Sequence, residues 1–171
     1  MIKRVVFPAV AAVLLLAPVG AHAQGLGIDR LRHNGIITVN PIAVLAGAIN
    51  GDVELNLGSG VTGSLGGTHW PDEYSSLDLT FRYYPNELNP QGFWIGGSVG
   101  HVNWDPNNDN SEHTKGATVG FHIGYNWIMG RSERLAIATG VGAKRVFASR
   151  DRYPNRQTVL PSGRFGIGIT F

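Results

Sequence analysis

The chain has no cysteine, few charges and no long hydrophobic run. Zero cysteine in 171 residues excludes a disulfide scaffold, a thiolate metal site and a cysteine nucleophile. Charged residues make up only 15% and the formal net charge is +2, and without residues 1–23 the basic and acidic residues balance at 12 each, which argues against an electrostatic nucleic-acid binder. The longest uninterrupted apolar run, Ala9 to Ala17, falls well short of the roughly 20 residues that a membrane-spanning helix needs. The length suits a single domain with a sizeable core. Glycine is the residue in excess, at 24, yet no G-X-Y period accompanies it, so a collagen-like chain is excluded.

Residues 1–23 read as a segment apart from the fold. Lys3 and Arg4 precede an apolar stretch from Val5 to Val19, and Ala21-His22-Ala23 has the small-x-small form of a cleavage site. That order of charge, apolar core and small residues predicts a secretory signal peptide. Without it the chain keeps 12 basic and 12 acidic residues, and the only lysines left are Lys115 and Lys144. Residues 24–34 form a short polar lead-in.

From Gly35 onward the dominant period is two, the signature of strands with two unlike faces. The clearest case is Gly116 to Met129. Ala117, Val119, Phe121, Ile123, Tyr125, Trp127 and Met129 share one face, with Gly116, Thr118, Gly120, His122, Gly124 and Asn126 on the other. The same alternation recurs around Val53–Leu57, Gly60–Thr68, Leu77–Tyr84, Phe93–Gly100, Leu135–Lys144 and Arg164–Phe171. Gly35 to Leu45 is apolar, but Pro41 breaks its phase. It reads as an edge-like or bulged first strand, with a short helical turn after Pro41 as the alternative. The count is eight strands. Short turns at Gly58–Gly60, Asn86–Gln91 and Gly130–Glu133 alternate with longer polar loops at His69–Glu73, Asp105–His113 and Ala148–Gln157.

The face composition predicts which side meets water. The polar face is small and glycine-rich, while the other is bulky, apolar and aromatic. Eight strands leave a lumen just wide enough for side chains, which fits the small face. The bulky face then needs an apolar surrounding, and a closed barrel is the one β structure that lipid tolerates. The expected fold is therefore all-β, an eight-stranded antiparallel transmembrane β-barrel over residues 35–171, of the outer-membrane kind. Tyr83, Tyr84, Phe93, Trp94, Tyr125 and Trp127, all near short turns, are expected to form the periplasmic aromatic girdle. A soluble β-sandwich or lipocalin-like carrier is the competing reading, but it would leave a glycine-rich face in water.

Asn40-Pro41, Asp52 to Leu57, Phe81-Arg82-Tyr83-Tyr84-Pro85, Gly92-Phe93-Trp94-Ile95-Gly96 and Gly124-Tyr125-Asn126-Trp127 together carry a resemblance. The chain resembles a family of small bacterial outer-membrane barrels of unknown function, similar to OmpA- and OmpW-like eight-stranded proteins. The resemblance spans most of residues 24–171 and implies the barrel but no activity. The terminal Phe165, Ile167, Ile169 and Phe171 resemble the C-terminal signal that such proteins present to the outer-membrane assembly machinery.

With odd positions outward, the lumen receives Asp52, Glu54, Asp78, Arg82, His122, Lys144 and Arg164. Asp78 and Arg82 lie four residues apart on one strand, too far to pair, so pairing is expected across the lumen. An ion-pair plug centred on Arg164 with Glu54 or Asp78 is expected, with Glu54, Asp78, His122 and Arg164 at similar depth. A narrow pore for small solutes is the alternative, and a lipid A-modifying enzyme is the second. For the latter, Ser111-Glu112-His113 is the one dense set, but adjacent residues on an extended chain point opposite ways. His101, Asp105, Asp109 and His113 lack metal-loop spacing and read as a solvated loop. No cofactor motif is present. Arg150, Arg152 and Arg156, with Arg145 in the same last loop, are candidate contacts for lipopolysaccharide phosphates. The expected protein is a monomer whose partners are outer-membrane lipids, with a structural or interaction role.

Overall fold

In a computed structural model of the protein, eight antiparallel strands follow one another in chain order and close into a barrel. They are β1 (Gly35–Val39), β2 (Ile49–Gly58), β3 (Val61–Trp70), β4 (Tyr74–Tyr83), β5 (Gly92–Trp104), β6 (Thr114–Met129), β7 (Leu135–Ser149) and β8 (Thr158–Thr170). One five-residue helix, α1 (Pro41–Leu45), joins β1 to β2. The structure describes residues 33–71, 73–86, 90–104, 114–149 and 158–171. The signal segment 1–23, most of the lead-in, Ser111-Glu112-His113, Asp105, Asp109 and the loop arginines 150, 152 and 156 lie outside the described residues.

The first connection follows the helical alternative. Pro41 cannot donate to a ladder, and β1 ends two residues before it. Asn40 then caps the helix, its Oδ1 accepting from the backbone N–H of Ile42 at 3.0 Å and Ala43 at 3.1 Å. The edge-like expectation for the first strand is corrected, because β1 pairs with β2 on one side and β8 on the other. Two loops are also shorter than expected. His69 and Trp70 belong to β3, and Arg145 sits within β7 rather than in the last loop. At the β2–β3 turn, Gly58, Ser59 and Gly60 all have positive φ, a run that glycine makes inexpensive.

The register fixes the shape. Following paired residues from Ile36 once round the wall leads to Leu160, whereas the partner of Ile36 at closure is Thr170, ten residues further along β8. Eight strands with that stagger tilt by about 40° and enclose a backbone cylinder about 8 Å in radius. A lumen of that width is filled by side chains.

The period of two resolves into two faces. Outward stand Leu65, Leu79, Phe81, Val99, Phe121, Val141 and Ile169, all exposed. Inward stand Glu54, Thr62, Ser64, Thr80, Arg82, Ser98, Thr118 and Asn126, all buried. Of the residues expected in the girdle, Tyr83, Phe93, Tyr125 and Trp127 are exposed on the outside. Tyr84 and Trp94 are not: they are 0% and 1% exposed and point into the lumen. Both occupy even positions, and strand parity outranks proximity to a turn.

Trp94 explains part of the glycine excess. A Cβ on Gly124 of β6 or on Gly140 of β7 would fall within 3.0 Å of the Trp94 indole. Gly124 is the cross-strand partner of Trp94 and Gly140 is the partner of Gly124, so the two glycines form a slot along the next two strands that receives one large ring. Gly124→Val is expected to cost about 1–3 kcal/mol by overpacking. In a double-mutant cycle with Trp94→Ala, urea unfolding should show the two changes to be strongly non-additive. Additive losses would mean that the slot and the ring are independent.

Candidate functional site: a polar lumen in three storeys

The lumen is organised around Glu54, a carboxylate with no solvent exposure. Its Oε1 accepts from the Thr62 hydroxyl at 2.7 Å and from the Tyr84 hydroxyl at 2.5 Å. Its Oε2 accepts from Arg82 Nη1 at 2.5 Å, and from Asn126 Nδ2 and Arg164 Nη2, each at 3.4 Å. A buried ion costs several kcal/mol unless it is paired and hydrogen-bonded, and this one has donors from five side chains. Asp52 shares both cations: Arg164 Nη2 lies 2.7 Å from Oδ1, and Arg82 Nη2 lies 3.1 Å from Oδ2. Two acids and two arginines thus form one cluster joining β2, β4 and β8. The Arg82 and Arg164 guanidinium carbons lie 5.0 and 5.7 Å from the Trp94 ring centroid, cation–π distances that bind the cluster to β5.

Below the cluster, toward the short turns, the lumen is sealed. Asn126 donates to the Tyr84 hydroxyl at 2.7 Å and to the Pro90 carbonyl at 3.0 Å, and its Oδ1 accepts from Trp94 Nε1 at 3.2 Å. Ile36, Tyr84, Pro90, Trp94 and Asn126 are all fully buried there.

Above the cluster stands a second, separate ion pair. Lys144 Nζ lies 2.6 Å from Asp78 Oδ2. His122 makes no ion pair among the described residues. Ser98 Oγ lies 2.8 Å from its Nε2 and Ser162 Oγ 3.1 Å from its Nδ1, so the ring ties β5, β6 and β8 together. A cavity of about 110 Å³ lies between the cluster and this pair. Beyond it a vestibule of about 490 Å³ widens toward the longer loops, with Trp70, Tyr74 and Trp104 along one wall. These three are cross-strand neighbours in register.

All seven expected ionisable residues therefore meet in the lumen, but with different partners. Arg164 reaches Glu54 as expected, and Asp52 more closely. The expected Arg164–Asp78 alternative is corrected, because Asp78 pairs with Lys144. Thr62, Tyr84, Trp94 and Asn126 complete the cluster and were missed. Their even parity was the available signal. Of the C-terminal residues, Ile167 and Ile169 face outward, Phe165 is half-buried, and the backbone of Phe171 exchanges hydrogen bonds with Gly35. Arg145 is exposed on the outer face and lies over the Phe147 ring at 5.3 Å. Among the described residues, no group of three or more metal-ligating side chains is placed to hold an ion. Comparison with known proteins matched no family model, no curated protein and no solved structure.

Removing one partner of a buried pair leaves the other uncompensated, at about 3–5 kcal/mol. Glu54→Ala is therefore expected to lose about that much in urea unfolding. Lys144→Met, at a pair with partial exposure on both sides, should lose clearly less. Equal losses would show that the Glu54 cluster is not the stronger tie.

Proposed function

We propose that the chain is an outer-membrane β-barrel of the bacterial envelope. In this reading its lumen is plugged by ion pairs, and its role is structural or interactive rather than conductive. The observation that carries the reading is the outer surface. Along β6 the outward residues from Ala117 to Trp127 are apolar over ten residue steps. At about 3.3 Å per step and 40° of tilt, the belt stands about 25 Å tall, the height expected of an outer-membrane barrel. Among the described residues, no acidic side chain stands outward on any strand, and the outward His69, His101, Lys115 and Arg145 lie toward the loop end. Water would make so large an apolar surface an aggregation site, whereas lipid makes it a requirement. Among the described residues no helix is long and apolar enough to cross a membrane, so the crossing falls to the strands.

Other features agree with this placement. Tyr83, Phe93, Tyr125 and Trp127 cluster on the outside of β4, β5 and β6 at the turn end, where an interfacial aromatic belt belongs. The signal-peptide pattern of residues 1–23 supports export, and the apolar final strand supports delivery to the assembly machinery. The sealed turn end weighs against the narrow pore. No cofactor enters the reading, and the protein acts as a monomer among outer-membrane lipids.

Two measurements test the proposal. The folded protein should migrate with heat-modifiable mobility in the outer-membrane fraction and give no stable large conductance across a planar bilayer. A band in the soluble fraction would end the membrane reading, and a stable open channel would end the plug. In addition, Phe121→Arg near mid-belt should destabilise the barrel in vesicles by about 2–4 kcal/mol, while Ala117→Arg near the loop end should cost about 1 kcal/mol or less. A soluble barrel would show little cost at either position.

A further inference from the structure

The barrel wall is incomplete along its closing seam. β8 pairs with β7 from Thr158 to Ile169, but with β1 only from Ile167 to Thr170. Among the described residues, β8 from 158 to 165 therefore has no ladder partner on its second side. Pro41 ends β1 early, and Pro161 lies within the unpaired length of β8. Proline is confined to strand edges because it brings no N–H to the ladder. At Gly163 a side chain would meet nothing within 4 Å. The 110 Å³ lumen cavity reaches this side of the wall. Thr38, Asn50 and Asp52 line one flank, and Ser162 and Arg164 line the other.

The gap joins two unlike environments. Outside, α1 presents Ile42, Val44 and Leu45, all exposed, beside the outward Val39 and Ile167. Inside, the cavity lining presents Arg82, Lys144 and Arg164 against Asp52 and Asp78, since the balancing Glu54 is wholly buried beneath. Arg164 Nε and Nη1 and Arg82 Nε are shut from solvent and have no acceptor among the described residues. Unsatisfied guanidinium donors are costly, and a carboxylate or phosphate oxygen is their natural partner.

We infer that the β1–β8 opening is a lateral binding site for a single-chain amphiphile, its anionic head at Arg164 and its chain along α1. The inference rests on the membrane reading above. A strand from a second copy is the poorer occupant, because Pro161 lacks a donor for a new ladder and α1 stands beside the edge.

The test uses the full barrel folded in detergent micelles, with Trp70, Trp104 and Trp127 each changed to Phe so that Trp94, which lines the cavity, is the remaining fluorophore. The probes are dibromostearate, a dibrominated lysophosphatidylglycerol and dibromostearate methyl ester. One of the two anionic probes should quench Trp94 saturably, and the better one identifies the head as carboxylate or phosphate. The ester should bind about tenfold more weakly. Gly163→Leu, a change into open space, should weaken binding about tenfold while heat-modifiable mobility is retained.

Equal quenching by ester and acid, or binding unaffected by Gly163→Leu, overturns the inference. So does a cross-linked dimer that excludes the probe. Normal heat-modifiable mobility with unsaturable quenching overturns this inference alone. Loss of that mobility in the unmodified protein overturns the membrane reading and this one with it.

Discussion

A carboxylate without solvent, Glu54, sets the terms for the rest of the lumen. Thr62 and Tyr84 hold one of its oxygens, Arg82 and Arg164 the other, and Asp52 is needed because two arginines serve one buried acid. A well-packed apolar core would be about as stable as such a cluster. The cluster adds register. Sliding β2 or β4 by one residue exchanges its faces and would carry Glu54 or Arg82 onto the apolar exterior. For a barrel whose two faces are both made of period-two strands, that penalty selects one pairing from many. The outside cannot make the selection, because Leu, Ile, Val and Phe are interchangeable against a uniform surrounding.

Much of the fold was legible because parity is a strong signal. Phe121 and His122 cannot share a face on a strand, and that local rule, applied strand by strand, assigned inside and outside. The pairing partners were not legible in the same way. Counting residues from each turn treats strands as upright, which put Glu54 and Asp78 at one depth. In a barrel with a stagger of ten, each strand is raised by about 3 Å against its neighbour. Asp78 therefore stands above Glu54 and meets Lys144 rather than Arg164. Tyr84 and Trp94 were misplaced for a different reason. An aromatic near a turn suits a membrane interface, but Gly124 and Gly140 had already left room for an indole inside. The slot is visible in sequence only once the register is known.

The three storeys of the lumen differ in kind as well as in height. The lowest is fully buried and closed by Asn126, Tyr84 and Pro90. The middle is ionic, and the uppermost is a vestibule walled by Trp70, Tyr74 and Trp104. This gradient follows from strand length. β1 and β2 have 5 and 10 residues, while β6 and β7 have 16 and 15, so one side of the rim stands higher than the other. Pro41 is the local cause of the lowest point.

The β1–β8 ladder also bears on how the barrel forms. Every other ladder joins neighbours in sequence and can grow as a hairpin, whereas this one brings Ile36 to Thr170. Its loop-closure entropy must be met before any of its bonds form, and only four residue pairs then repay it. Closure therefore carries the largest entropic cost of any ladder, and until it occurs both terminal strands expose a free edge. A chain built this way spends its most vulnerable interval as an open sheet, when the apolar face is complete and the cylinder is not.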